Sequence, residues 1–279
     1  MPIHDQGYRR FGGARARHGA AWLVIAGTAI RSMLARRKFA ALLLLAWAPF
    51  LIRAIQVYAT TNWPQLASFA PTATTFRDFL EQQNMFVLFV AIYAGAGLIA
   101  NDRRANALQL YLSRPLTRME YVAGKAAVLM VFLLLVTWLP ALLLLVVQIV
   151  LAGSFDFARR NLFLFPAITV YSFLQVSVAT LTMLALSSLS KSSRFVAVMY
   201  AGIILFTSAI QGMFWLMTRS SLTSLVSPTA SLSQVGDVIF RTPPRYEVPW
   251  LLSLAMVVLM LAASALVLHR RVRGVEVVT

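Results

Sequence analysis

The chain has no cysteine, and among its 279 residues there are only nine acids and three histidines. Without cysteine, disulfides and thiolate chemistry are excluded. Charged residues make up 12% of the sequence, about half the share of an ordinary soluble domain. His4, His18 and His269 lie outside every long apolar run, and no two stand at metal-ligand spacing. Neither H-E-x-x-H nor G-x-S-x-G occurs. Asp5, Asp78, Glu81, Asp102, Glu120, Asp156, Asp237, Glu247 and Glu276 all fall in loops, tails or the ends of apolar runs. A proton-driven carrier or an intramembrane aspartyl protease needs a carboxylate at depth, so both readings lose support. Gly124-Lys125 would belong to a phosphate-binding loop only with glycine at Met119 and Ser or Thr at Ala126. No enzyme, bound cofactor or metal is expected on this chain.

Hydrocarbon dominates what is present: 59% of residues are hydrophobic. A bilayer core takes about 20 apolar residues of helix, and six runs reach that length, near 39–58, 80–100, 122–151, 162–189, 195–217 and 249–268. The fold class expected is therefore an all-α integral membrane protein with six transmembrane helices. Arg53 lies toward the end of the first run, where its side chain can snorkel to the headgroups. Of the other basic residues, 18 precede the first run, follow the last or lie in the loops after the second and fourth runs; six lie in the alternate loops. The positive-inside rule then places both termini, Arg103 and Lys191 in the cytoplasm, and Arg159 and Arg241 outside. In such a chain a net charge of +16 points to topology and anionic lipid, not to nucleic acid.

The first nineteen residues are Gly- and Arg-rich and are expected to be mobile. From residue 20 to 38, Trp22, Ile25, Ala26, Ala29, Ile30, Met33 and Leu34 recur at helical spacing before Arg36, Arg37 and Lys38. This pattern predicts an interfacial amphipathic helix anchored by Trp22, ahead of a six-span domain over 39–279.

Between the second and third runs lies DRRANALQLYLSRPLTRMEYVAGK, residues 102–125, with seven charges. A short helix is predicted from Asp102 to Leu112, ended by Pro115. Thr117 and Glu120 form a capping-box pattern, so a fresh helix should begin at Arg118. Elsewhere, Ala91, Gly95, Gly97 and Ala100 predict close helix packing in span two, and Pro140 and Pro166 predict kinks. Gln148, Gln175 and Gln211 are candidates to line a path, although interhelical hydrogen bonds account for them equally well. The loop 218–248 is too long for a simple connector; SLTSLVSP and SLSQVGDVIF within it are candidates for short outer or re-entrant helices.

The stretch GLIANDRRANALQLYLSRPLTRMEYVAGKAAVL resembles the loop that follows span two in type-2 ABC transporter permeases. Asp102, Leu108, Leu110, Leu112, Ser113, Pro115, Leu116, Arg118, Tyr121, Gly124 and Lys125 stand at matching places; Asn106-Ala107 replaces the Gly-Thr of many relatives. The resemblance implies a permease subunit of an ATP-driven exporter in the bacterial inner (plasma) membrane. It implies a second permease chain, as a homodimer, and two copies of an ABC ATP-binding subunit that carries ATP and Mg. The N-terminal interfacial helix would be the elbow helix. The 102–125 segment would carry the cytoplasmic coupling helix, meeting the ATPase through Asp102, Arg103, Arg104, Leu108, Tyr111, Leu112, Ser113, Arg114, Pro115 and Arg118. A membrane anchor or assembly protein without transport activity, and a stand-alone secondary transporter, are the rival readings. Sodium coupling through backbone carbonyls needs no buried acid.

Overall fold

The computed structural model describes residues 21–63, 65, 71–107, 117–151, 159 and 161–272. The expected mobile N-terminus lies outside them. Among the described residues there is no strand. Helix α1 (Ala21–Leu34) precedes six apolar helical segments long enough to cross a bilayer. Span one is α2 (Arg37–Leu45) and α3 (Ala48–Asn62); span two is α4 (Ala73–Gln82), α5 (Asn84–Gly95) and α6 (Ala100–Arg104). Span three is α7 (Arg118–Val136) and α8 (Trp138–Leu151). Spans four and five are the single helices α9 (Leu164–Leu189) and α10 (Ser193–Thr218). A 3-10 helix (Ser221–Val226) and α11 (Pro228–Ile239) follow, and α12 (Trp250–Arg271) is span six.

Three spans are interrupted, two of them beside a proline. Pro49 follows the break at Ala46–Trp47; a proline removes one backbone donor and crowds the carbonyl four residues earlier. Gln83, fully buried, donates to the Ala46 carbonyl at 3.2 Å. Span three breaks at Thr137, three residues before Pro140, and the Thr137 hydroxyl donates to the Leu133 carbonyl at 2.8 Å. Pro166, expected to kink span four, does not: it lies in the first turn of α9, where backbone N–H groups have no helical partner to lose. In span two, α5 ends at Gly95 and α6 starts at Ala100.

The helices enclose two large apolar clusters and a third of three buried residues, Val178, Leu232 and Val257. The largest gathers Phe39, Ile99, Tyr121, Phe132 and Val196 toward the end that carries Asp102; the second gathers Phe76, Phe79, Tyr171 and Phe240 toward the opposite end. Lipid tails are as apolar as these side chains, so close packing must supply much of the association. Span two shows how: a Cβ on Gly95 would stand 2.4 Å from Met183 Cγ and 3.0 Å from Leu129 Cδ2. The glycine lets α5 sit directly on α9 and α7.

At the end opposite Asp102, α11 folds back among the spans. Its Ser227 cap receives the Ala230 N–H, and Ala230, Leu232, Gln234, Val235 and Asp237 are buried. An ion-pair cluster fixes it there. Arg77 Nη1 meets Asp237 Oδ1 at 2.5 Å and Thr242 Oγ1 at 3.1 Å, while Arg77 Nη2 meets Asp78 at 2.9 Å. Arg245 reaches Glu81 at 2.6 Å and Asp78 at 3.0 Å, and its backbone N–H donates to Asp237 Oδ2 at 3.0 Å. Gln234 donates to the Val248 carbonyl and accepts from Ser253 at 2.6 Å. The 218–248 segment is thus bound to spans two and six as part of the packed body.

Gly236 sets how closely α11 approaches α9. A Cβ there would lie 2.7 Å from the ring of Tyr171, which is fully buried. Gly236→Val should therefore destabilise the chain by about 1–3 kcal/mol through overpacking, read as a lower midpoint of thermal unfolding in detergent. An unchanged midpoint would show that α11 is not wedged against Tyr171.

Candidate functional site

Asp102, Arg103 and Arg104 close span two. The sequence predicts one helix from Asp102 to Leu112; instead α6 ends at Arg104, and Asn106 takes a left-handed conformation with φ 52°. Asparagine tolerates this region better than most residues, so the chain turns just after Asp102 and leaves the carboxylate at the membrane helix's own end. Leu108, Tyr111, Leu112, Ser113, Arg114 and Pro115 lie outside the described residues. Description resumes at Thr117, whose side chain accepts the Glu120 N–H at 3.2 Å while Glu120 Oε2 accepts the Thr117 N–H at 2.9 Å. Both halves of the capping box start α7 at Arg118.

Helical spacing then brings the two sides of the segment together. Tyr121 and Lys125 are four residues apart and share a face of α7. Asp102 Oδ2 accepts from the Tyr121 hydroxyl at 2.8 Å and pairs with Lys125 Nζ at 2.7 Å. The Lys125 ammonium also lies 5.5 Å from the centre of the Tyr121 ring. The Lys125 side chain is 11% exposed and that of Asp102 19%. Two donors on one carboxylate oxygen, one of them cationic, make a strong contact in so sheltered a place. It ties the entrance of the 102–125 segment to its exit.

Neighbouring elements brace the same point. Ser187 on α9 accepts from the backbone N–H groups of Ile99 and Ala100 at 3.1 and 3.0 Å and donates to the Ala96 carbonyl at 3.0 Å. One hydroxyl thus serves three backbone groups at the break in span two. Arg103 Nη1 donates to the Ser188 carbonyl, placing a cation at the C-terminus of α9, where the helix dipole favours it. At Gly124, a Cβ would stand 3.1 Å from Ile25 and from the Trp22 carbonyl. That glycine seats α1 against α7. Arg104, Arg118 and Met119 remain exposed beside this braced base.

The glutamines have separate engagements. Gln175 Nε2 donates to the Leu80 carbonyl at 3.2 Å and to Asn84 Oδ1 at 2.7 Å, joining α9 to span two. Gln211 bonds the Tyr246 side chain, where burial raises the phenol's pKa. Gln148 is buried on α8, with no hydrogen-bond partner for Oε1 among the described residues. Sequence reasoning missed Ser187, which looks like any small polar residue of span four. It also missed the Arg77–Asp237 cluster, whose one signal is charge at the rim of span two opposite an over-long loop.

Six helices long and apolar enough to cross a bilayer, with a charge pair closing the base of the loop between the second and third, define a multi-pass membrane protein. The chain belongs to the ABC-2 family: the model described as an ABC-2 family transporter protein matches residues 23–271. No curated protein matches it. Membership makes the chain an ABC transporter permease, the transport membrane subunit that works with an ABC ATP-binding subunit.

The Asp102–Lys125 pair can be isolated by a double-mutant cycle. Asp102→Ala leaves a sheltered lysine cation unpaired and should cost about 3 kcal/mol of stability. Lys125→Met added to it should recover much of that loss. Calorimetry in detergent reads the coupling; additive losses would mean that the pair contributes no interaction of its own.

Proposed function

We propose that this permease is one half of an ATP-driven exporter, paired with a second copy of itself and resting on two ATP-binding subunits. The observation that carries the reading is the Asp102–Tyr121–Lys125 clasp, which makes the base of the 102–125 segment continuous with spans two and three. Force received by that segment would pass into α6 and α7 directly, without first straightening a slack connector. In this reading the partner binds ATP and Mg, and the membrane chain does mechanical work. The apolar face of the segment, Leu108, Tyr111 and Leu112, would seat in the ATPase, with Arg104, Arg114 and Arg118 around it. Ser113 and Pro115 would stop the short helix, and the Thr117–Glu120 cap would start α7 rigidly.

The distribution of basic residues supports cytoplasmic termini and a bacterial inner-membrane location, with α11 on the outer side. Exposed apolar faces support pairing: Val198, Leu205, Phe206 and Met213 on α10, and Leu44, Leu51 and Ile55 on span one, are each more than half exposed. Alternating access at the seam between two such faces would move substrate outward. The direction rests on the likeness of the 102–125 segment to that of type-2 exporters.

Replacing both Leu108 and Leu112 by Asp puts charge into the proposed contact. An unpaired buried charge costs about 3–5 kcal/mol, which weakens binding by about two to three powers of ten. The variant should insert normally, and the ATP-binding subunit should no longer co-purify with it. Native levels of co-purification and ATPase activity would remove the segment from the interface.

A further inference from the structure

An apolar groove of about 560 Å³ runs along the outside of the bundle between α9, α11 and α12. Its mouth is formed by Val170, Ile239 and Trp250, at the end of the molecule that carries α11. Ser177 and Leu261 lie at its inner limit. From Trp250 to Leu261 is eleven steps along α12, about 16 Å at the rise of an α-helix, or about half of a 30 Å hydrocarbon core. The groove therefore has the depth of one leaflet and opens sideways, as the exposure of Val170 and Trp250 shows.

Its rim carries a matching charge. Arg241, two residues beyond Ile239, adopts a left-handed backbone (φ 55°) and lays its guanidinium 4.7 Å from the centre of the Phe163 ring. Phe163, the N-cap of α9, precedes Val170 by seven residues, two helical turns, and so stands about 10 Å above it on the same side. Among the described residues Arg241 forms no ion pair, whereas Arg77 and Arg245 beside it are taken up by Asp78, Glu81 and Asp237. Trp250 stands at the first position of α12, the depth at which tryptophan anchors to headgroups.

We infer that this groove holds one anionic phospholipid of that leaflet, with an acyl chain between α9 and α12 and the phosphate on Arg241. The contact requires neither the ATP-binding subunit nor a second permease chain. The bound lipid would fill the space beside α11 and so support its position between spans four and six.

The purified chain, titrated with phosphatidylglycerol and then phosphatidylcholine, tests this by native mass spectrometry. One tightly retained phosphatidylglycerol per chain is expected. Arg241→Gln should weaken it roughly fivefold, the factor that one basic residue near an anionic headgroup supplies, and Arg241→Lys should restore most of it. Ser177→Trp should abolish retention by filling the inner groove. A broad, unsaturable distribution of lipids unchanged by Arg241→Gln or Ser177→Trp would mean annular lipid only and overturn the inference. Loss of the ATPase interaction in the Leu108 and Leu112 variant should leave lipid retention intact, so this site and the coupling segment fail separately.

Discussion

One carboxylate organises the end of this molecule at which spans two and three meet the 102–125 segment. Asp102 Oδ2 takes the Tyr121 hydroxyl and the Lys125 ammonium together, closing a loop of more than twenty residues at its base. Other features gain their meaning from that closure. The left-handed turn at Asn106 keeps Asp102 on the membrane helix. The capping box fixes where α7 begins, and therefore the height of Tyr121 and Lys125. Gly124, between those two residues, leaves room for α1. A motif of an aromatic residue followed by glycine and lysine thus has three geometric duties within five residues.

A second constraint comes from the bilayer, which offers no water to backbone groups released by a broken helix. Here two of the broken spans are served by side chains from elsewhere in the bundle. Gln83 donates to the Ala46 carbonyl, and Ser187 serves Ala96, Ile99 and Ala100. Because Ser187 and Gln83 belong to other helices, these breaks are also joints between spans. The break at Gly95–Ala100 adjoins Asp102, so a displacement of α6 relative to α5 would be felt at α9 through Ser187 and the Arg103–Ser188 contact.

Much of this could be read from the residues. Six apolar runs reach spanning length, and their helices appear where hydropathy puts them, extended at both ends by charged residues such as Arg37, Arg104 and Arg118. Thr117 and Glu120 carry a capping pattern that needs no tertiary context. What local pattern could not supply is pairing over distance. Nothing near Asp102 in sequence identifies Lys125 as its counter-ion, and nothing near Arg77 identifies Asp237, 160 positions later. Proline was legible only in part: Pro140 breaks span three, whereas Pro166 sits in a first turn and disturbs nothing, a difference set by where α9 begins.

In the proposed mechanism the charge pair at the base of the 102–125 segment transmits motion between the ATP-binding subunit and spans two and three. Exchanging the partners tests it most directly, by measuring ATP hydrolysis of the assembled transporter in lipid bilayers. Asp102→Lys and Lys125→Asp, each alone, place like charges together and should lower the rate at least tenfold while the subunits stay associated. The two together restore an opposite-charge pair and should return most of the native rate. If either single variant hydrolyses ATP at the native rate, or if the exchange rescues nothing, the pair is not the link between the two halves of the machine.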